Sequence, residues 1–422
     1  MNIQAQGLPR LSRSFRLLWA ATAVSNLGDG IGMVALPLMA ASLTRDPLLI
    51  AGVAAAQRLP WLLFVLVSGV IIDRSDRRRL QQGANLMRGL LLGLLGAAAL
   101  VGWITIPLLL GVAFLLGIAE TLADTAAVAL LPAVVTRDEL ERANGWLFTT
   151  QTVANEFVGP PLGGGLFALI AAAPLLLVAA CYGLAATLIS LLRGGFQPAP
   201  SGPWSFGLVR REIGEGLRWF WGHRLMRALG VKAAWEHGCW AATNAILVVL
   251  AQERLGLDAT GYGLLLSAGA VGGVLGGLSA SWIIGRIGAG SAAMLNLLIQ
   301  AVAYAGIAFS ISPQFVALML ALQSYTGSVG GVVGVSFRQA IIPDTLIGRV
   351  SSVFRLYALG AMAVGAVVGG LLARSFGVLA PYWLSALTML ILGVVLLPTV
   401  NNRAMIAARQ AAQQARPSSQ ER

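Results

Sequence analysis

An all-α membrane protein of twelve transmembrane helices, in two pseudo-symmetric six-helix bundles, is the fold this sequence predicts. Three observations predict it. Of 422 residues, 57% are hydrophobic and only 11% are charged. Soluble domains carry roughly 25% charged residues and disordered chains carry little apolar content, so both classes are excluded. The apolar residues also gather into twelve runs, each near the ~20 residues needed to cross a hydrocarbon core. Finally, one long hydrophilic stretch, 193–228, divides those runs six and six. The 51 glycines exceed the usual share of roughly 7% without a collagen period. They suit helices that approach closely in lipid.

In chain order the runs lie near 17–43, 48–72, 83–103, 106–130, 144–171 and 173–192. The second six lie near 229–251, 260–285, 290–310, 313–337, 350–373 and 379–399. Arg10, Arg13 and Arg16 before the first run, with Ala40-Ala41-Ser42 near its end, resemble a signal peptide. The run's length and its Asn26 and Asp29 argue for a retained span. Glycines and prolines open the central stretch (Gly194-Gly195, Pro198, Pro200, Pro203), so it begins as linker. From 205 to 227, Trp204, Phe206, Leu217, Phe220 and Leu225 alternate with Arg and Glu as in an amphipathic helix on a membrane face. The expected organisation is a first bundle over 1–193, a central loop over 194–228, a second bundle over 229–400 and a tail over 401–422.

Basic residues set the orientation. The net charge is +12, from 28 Arg, Lys232 and 17 acids. With the N-terminus inside, 22 basic residues fall on the cytoplasmic side, against Arg45, Arg254 and Arg374 outside. Both termini are therefore expected in the cytoplasm. The Arg residues are used in these short loops, which leaves no basic face with interleaved aromatics for nucleic acid. Cys181 and Cys239 lie inside apolar runs and show neither disulfide nor metal spacing. No cofactor is implied.

The halves also resemble each other. Leu130-Leu131-Pro132 precedes a span carrying Gly159 and Gly163-Gly164; Ile341-Ile342-Pro343 precedes a span carrying Gly365 and Gly369-Gly370. Matches at equivalent places in two halves point to a parallel internal repeat.

Ionisable groups at bilayer depth cost ~2.5–3.5 kcal/mol each on insertion scales, so each needs a reason. At about 1.5 Å per residue, Asp29 and Glu156 lie roughly 18–20 Å from the inner edge and Arg58 about 15 Å from the outer one. Asn26, Gln57, Gln151 and Asn155 share their level. In this reading Arg58 pairs one carboxylate and the other is placed to take a proton; the alternative is a static polar bridge. In the second half Glu236, His237 and Asn244 are candidates to contact substrate. Lys232, four residues before Glu236, suggests a local ion pair. Arg88 is expected to bridge Glu120 and Asp124. A membrane-embedded enzyme would need a convergent nucleophile, base or metal set, and two dissimilar His residues without HExxH do not supply one.

Gly69-Val70-Ile71-Ile72-Asp73-Arg74-Ser75-Asp76-Arg77-Arg78 is similar to the loop 2–3 signature of the major facilitator superfamily, G-x-x-x-D-R-x-G-R-R, with Asp76 at the inner Gly. Gly159-Pro160-Pro161-Leu162-Gly163-Gly164 resembles the end of that superfamily's exporter motif in helix five. Asn26-Leu27-Gly28-Asp29 with Pro37, Leu130-Leu131-Pro132, and Ile342-Pro343-Asp344 before Gly348-Arg349 are similar to the enterobactin-exporter and macrolide-efflux branch. The resemblance implies a major facilitator fold in the bacterial inner membrane, working by alternating access. The expected activity is proton-coupled efflux of a hydrophobic or amphipathic small molecule such as a drug, macrolide-like compound or siderophore. The partners would be that substrate, protons and the lipid bilayer, and the protein would be a monomer. Gly69, Asp73, Arg74, Arg77 and Arg78 would gate the cytoplasmic side, where Asp73 meets the start of the eleventh helix. Proton-coupled import of a small metabolite is the alternative, and a non-transporting receptor a remote one. No P-loop occurs, so ATP is not the direct energy source.

Overall fold

A computed structural model describes residues 12–72, 75–194, 196, 206–343 and 346–414. Asp73 and Arg74 lie outside the described residues, as do Arg10, Pro198, Pro200, Pro203, Trp204, Asp344, Arg416 and Arg422. Among the described residues there is no strand. The first half comprises α1 (Arg13–Leu43), α2 (Pro47–Ile72), α3 (Arg77–Leu100) and α4 (Ile106–Val134). It continues with α5 (Leu140–Gln151), α6 (Gly159–Leu169) and α7 (Ala173–Ser190). A π-helical turn, Thr152–Val158, joins α5 to α6, so the fifth run is one helix carrying a bulge.

Next come α8 (Phe206–Gly222), α9 (Arg224–Asn244) and α10 (Leu247–Val249), the last running into a second π-turn, Leu250–Arg254. The chain then forms α11 (Ala259–Ile287), α12 (Ala289–Phe309), α13 (Pro313–Ile341), α14 (Ile347–Phe376), α15 (Ala380–Leu396) and α16 (Asn402–Gln414). Nine helices among the described residues are long and apolar enough to cross a membrane. The two runs that carry π-turns, and the 17-residue α15, occupy the other places where the sequence predicts spans.

Two compact units result: Met1–Ala35 with Leu63–Gly202, and Leu36–Leu62 with Pro203–Arg422. In the first, α3 packs against α4 and α7, and α1 lies on α6 and α7. Asp76 caps α3, accepting from the Arg78 and Arg79 amides at 2.9 and 3.2 Å. An acid is thus a working substitute for the glycine at this place, because it satisfies two amides that a helix start leaves without partners.

In the second unit α11 packs on α13, α9 on α14, and α12 between α13 and α15. The amphipathic α8 folds onto α14, with Phe220 edge-on to Phe354 at 5.2 Å and stacked on Tyr357 at 5.5 Å. At the start of the tail, α16 lies on α12 and α13 and buries Met405 in the core shared with Phe220, Phe337 and Val350.

Glycines set the closest helix approaches. A Cβ at Gly159 would collide with the Gly30 backbone, and one at Gly163 with that of Ile31. In the other unit a Cβ at Gly365 would collide with Gly238, and one at Gly369 with Ala242. The fifth run thus rests on the first as the eleventh rests on the seventh. The repeat read from sequence has the same packing on both sides.

Candidate functional site

The charged cluster of the first unit is built on three helices. Asp29 on α1 receives an ion pair from Arg88 of α3. The Tyr182 hydroxyl on α7 donates to the same carboxylate oxygen at 2.7 Å and accepts from Arg88 Nη2 at 2.6 Å. The guanidinium also lies 4.0 Å from the centre of the Tyr182 ring. Arg88 and Tyr182 are buried, whereas the Asp29 side chain keeps 27% of its surface exposed. Glu120 and Asp124 on α4 act electrostatically on Arg88 as well. A cation with this many acids near it meets the condition for a charge buried in an apolar interior.

The cation on Asp29 is Arg88, a residue that depth along the spans does not assign to this carboxylate. Depth cannot say which way a side chain points around its helix, and α3 carries Arg88 on its buried face. Arg88 does act on the Glu120–Asp124 pair, as the sequence suggests, but its direct partner lies on α1. Gln57 and Arg58 are half-buried on α2, in the Leu36–Leu62 segment of the other unit.

Asn155 and Glu156 stand on the π-turn. A Cβ at Gly30, next to Asp29, would strike the Asn155 backbone, so the bulge lies directly beside the charged cluster. Such bulges recur at functional positions of helices. Glu156 and Gln151 are exposed and Asn155 is half-buried. Asn26 turns back to the Thr22 carbonyl at 2.8 Å. Gly159, Pro160, Gly163 and Gly164 are all buried and serve packing.

Of the loop motif, Gly69 is on α2, and Arg77 and Arg78 head α3. Arg78 Nη1 donates to the Leu192 carbonyl at 2.7 Å and the Arg77 amide to Phe196 at 3.3 Å. These bonds tie the head of α3 to the chain leaving α7.

The second unit has its own cluster. Lys232 Nζ meets Glu236 Oε1 at 2.7 Å, the i,i+4 pair the sequence predicts. Asn296 of α12 donates to the same oxygen at 2.7 Å, and Gln300 donates to Asn296 at 2.9 Å. Gly330 of α13 leaves the space that the Asn296 amide fills. His237 is exposed and bonded to the Ala233 carbonyl at 2.7 Å, a helix-internal contact. Asn244 is half-buried at the end of α9.

Tyr182, Asn296 and Gln300 were not legible as members of a site. A lone tyrosine or amide in an apolar run carries no partner information. Among the described residues no group of three or more His, Cys, Asp or Glu could hold a metal ion.

Comparison with known proteins adds the family. The profile of the family described as Transmembrane secretion effector, within the major facilitator superfamily, matches residues 8–420. The multidrug efflux pump Tap of Mycolicibacterium fortuitum is 28% identical over 391 residues, 90% of this chain and 94% of that protein. The enterobactin exporter EntS of Shigella dysenteriae serotype 1 (strain Sd197) is 25% identical over 397 residues, 91% of each chain. A variant of the nucleoside transporter NupG superposes with TM-score 0.76 at 12% identity, covering 94% of this chain and 100% of that one. A bacterial homologue of the iron transporter ferroportin gives 0.70 at 20% identity, covering 95% and 99%. At such identities the two structures report the fold alone.

Proposed function

As a member of the transmembrane secretion effector family of the major facilitator superfamily, this chain is a multi-pass membrane transporter and not an enzyme, and we propose that it exports a hydrophobic or amphipathic small molecule in exchange for entering protons. The observation that carries the coupling is the Asp29–Arg88–Tyr182 cluster. Asp29 alone among the three keeps an exposed edge, while its two partners are fixed in the interior. Protonation of Asp29 would cancel the charge that Arg88 grips, and its loss would restore the pair. A group whose two states differ in their pull on a neighbouring helix can bias a conformational equilibrium. Glu156, beside it on the π-turn, is the second acid able to share that role, with Asn26, Gln57, Arg58, Gln151 and Asn155 toward substrate. Glu236, His237 and Asn244 are the corresponding candidates of the second half.

Likeness to Tap and EntS over nine-tenths of the chain supports outward transport of drug-like or siderophore-like molecules. The Arg distribution supports the bacterial inner membrane with both termini cytoplasmic, and the superfamily's habit supports a monomer. The loop motif, with Asp73 and Arg74 beside Arg77 and Arg78, would gate the cytoplasmic side.

The test is uptake into energised inverted vesicles of ethidium, a macrolide and a catecholate siderophore, with and without an uncoupler. The wild type should accumulate at least one of them, and the uncoupler should remove that uptake. Asp29→Asn should lose uncoupler-sensitive uptake while remaining inserted. Wild-type uptake by Asp29→Asn would end the assignment of coupling to this cluster.

A further inference from the structure

Beyond the ion pair, α3 carries a second polar feature. Gln81, Asn85 and Arg88 follow one another at helical spacing along one face, and each is 5% exposed or less. The same face continues as Leu92, Leu95 and Gly96, also buried. One stripe of one helix is therefore polar from its Arg77–Arg79 head to Arg88 and apolar beyond. Leaving a buried amide unbonded is costly, so polar groups at apolar depth are normally bonded. Yet among the described residues Gln81 Oε1 and Arg88 Nε, both buried, have no hydrogen-bond partner. They stand at the two ends of the stripe, about 10 Å apart along the helix. Buried polar groups left over in this way are the usual seats of internal water.

We propose that the Gln81–Asn85–Arg88 stripe of α3 holds a file of water molecules that carries the proton from Asp29 to the Arg77–Arg79 end of the helix, the cytoplasmic end in the orientation above. The proposal rests on the reading of Asp29 as the coupling acid. The O–H bond of protonated Asp29 breaks, its electron pair stays on the carboxylate, and the proton passes to the nearest water. Each water hands on one proton and receives one, nothing is oxidised, and the freed carboxylate closes again on Arg88. Asp29 from α1, Glu120 and Asp124 from α4, and Tyr182 from α7 are the titratable groups acting on the guanidinium, and Cys181 of α7 stands near Asp29. The two α4 acids offset the positive charge that a proton must pass. The apolar continuation through Leu92 and Leu95 closes the file at Arg88, so the path has one exit.

The first arm of the test needs no substrate. In full-length protein with Cys181→Ser and Cys239→Ser, single cysteines replace Gln81, Asn85, Leu92 or Leu95 in inverted vesicles. The probe is 2-aminoethyl methanethiosulfonate, read by counting the thiols left after denaturation. Reaction needs water and access, so Gln81→Cys and Asn85→Cys should react roughly tenfold faster than Leu92→Cys and Leu95→Cys. Equal, slow reaction at all four positions means a dry stripe and overturns the proposal. Equal, fast reaction means an open cavity and overturns it too.

The second arm separates proton movement from substrate movement with whichever compound the wild type carries. Gln81→Leu and Asn85→Leu should cut proton-driven uptake by roughly tenfold or more and leave substrate exchange across the membrane unchanged. Asn85→Ser, which keeps a polar group, should restore it. Loss of exchange in step with driven uptake would assign the stripe to structure instead. A wild type that carries none of the compounds would refute the function proposed above, while the thiol rates would still decide the water file.

Discussion

At the level of single residues, the Asp29–Arg88 pair is unequal. An orphaned carboxylate can discard its charge by taking a proton, but a guanidinium stays charged in any protein setting. Removing one partner of a buried pair costs about 3–5 kcal/mol when the other stays charged. Asp29→Asn should therefore lower the thermal midpoint in detergent more than Arg88→Gln does, with tryptophan fluorescence as the readout. The double variant should recover part of the loss. Equal losses with no recovery would show that Tyr182 and the α4 acids, not the pair, hold the cluster together. Asp29 was legible in the sequence because an acid at that depth is conspicuous. Its partner was not, because candidate cations on two helices lay at compatible depths and only the facing side of α3 distinguishes them.

Helix-level behaviour follows from contacts that the sequence only partly announces. Gly276 and Gly277 are neighbours on α11. A Cβ at Gly276 would meet the Tyr325 backbone of α13, whereas one at Gly277 meets nothing within 4 Å. Gly276→Ala should cost about 1–3 kcal/mol by forcing the helices apart. Gly277→Ala should instead stabilise by roughly 0.5–1 kcal/mol, since alanine loses less freedom in a helix. Thermal melts of the two variants check this, and the same sign for both would refute it.

Between α8 and α9, His223 is stacked 5.5 Å from Trp219, and burial holds its pKa below the ordinary value near 6.5. The unfolded junction then binds protons more readily than the folded one. Its stabilisation is full above pH 6.5 and is lost as pH falls below it. Trypsin cleavage at the arginines of α8 should accelerate under mild acid in the wild type, and His223→Asn should flatten that pH response.

The amphipathic α8 was readable from its alternation, and the long apolar spans from their length. The π-turn at Thr152–Val158 was not. Its seven residues look like ordinary helix, and the close approach of the Asn155 backbone to Gly30 shows only in the fold.

For the molecule as a whole, hydropathy and loop charge predict two halves of six spans. The two glycine-mediated helix pairs bear out the internal likeness of those halves at the level of backbone packing. The point that hydropathy could not supply is where the α1–α2 hairpin belongs. Its tip, Leu36–Leu62, groups with the later unit. There Asp46 lies 3.5 Å from Arg374 at the end of α14, and a Cβ on Gly370 would press on Pro47, Leu48 and Ala51.

This hairpin makes the gene harder to divide than its two-part architecture suggests. A polypeptide of residues 203–422 expressed alone would leave that end of α14 without the segment it is built to meet. It should be degraded quickly and melt early. Supplying residues 1–202 from a second plasmid should restore its lifetime, while a version of that first fragment with Gly370's neighbours enlarged, Ala51→Leu, should rescue poorly. Full stability of the later fragment on its own would show that the hairpin tip adds nothing to it, and split-reporter or fusion versions of the protein could then be cut freely at the central loop.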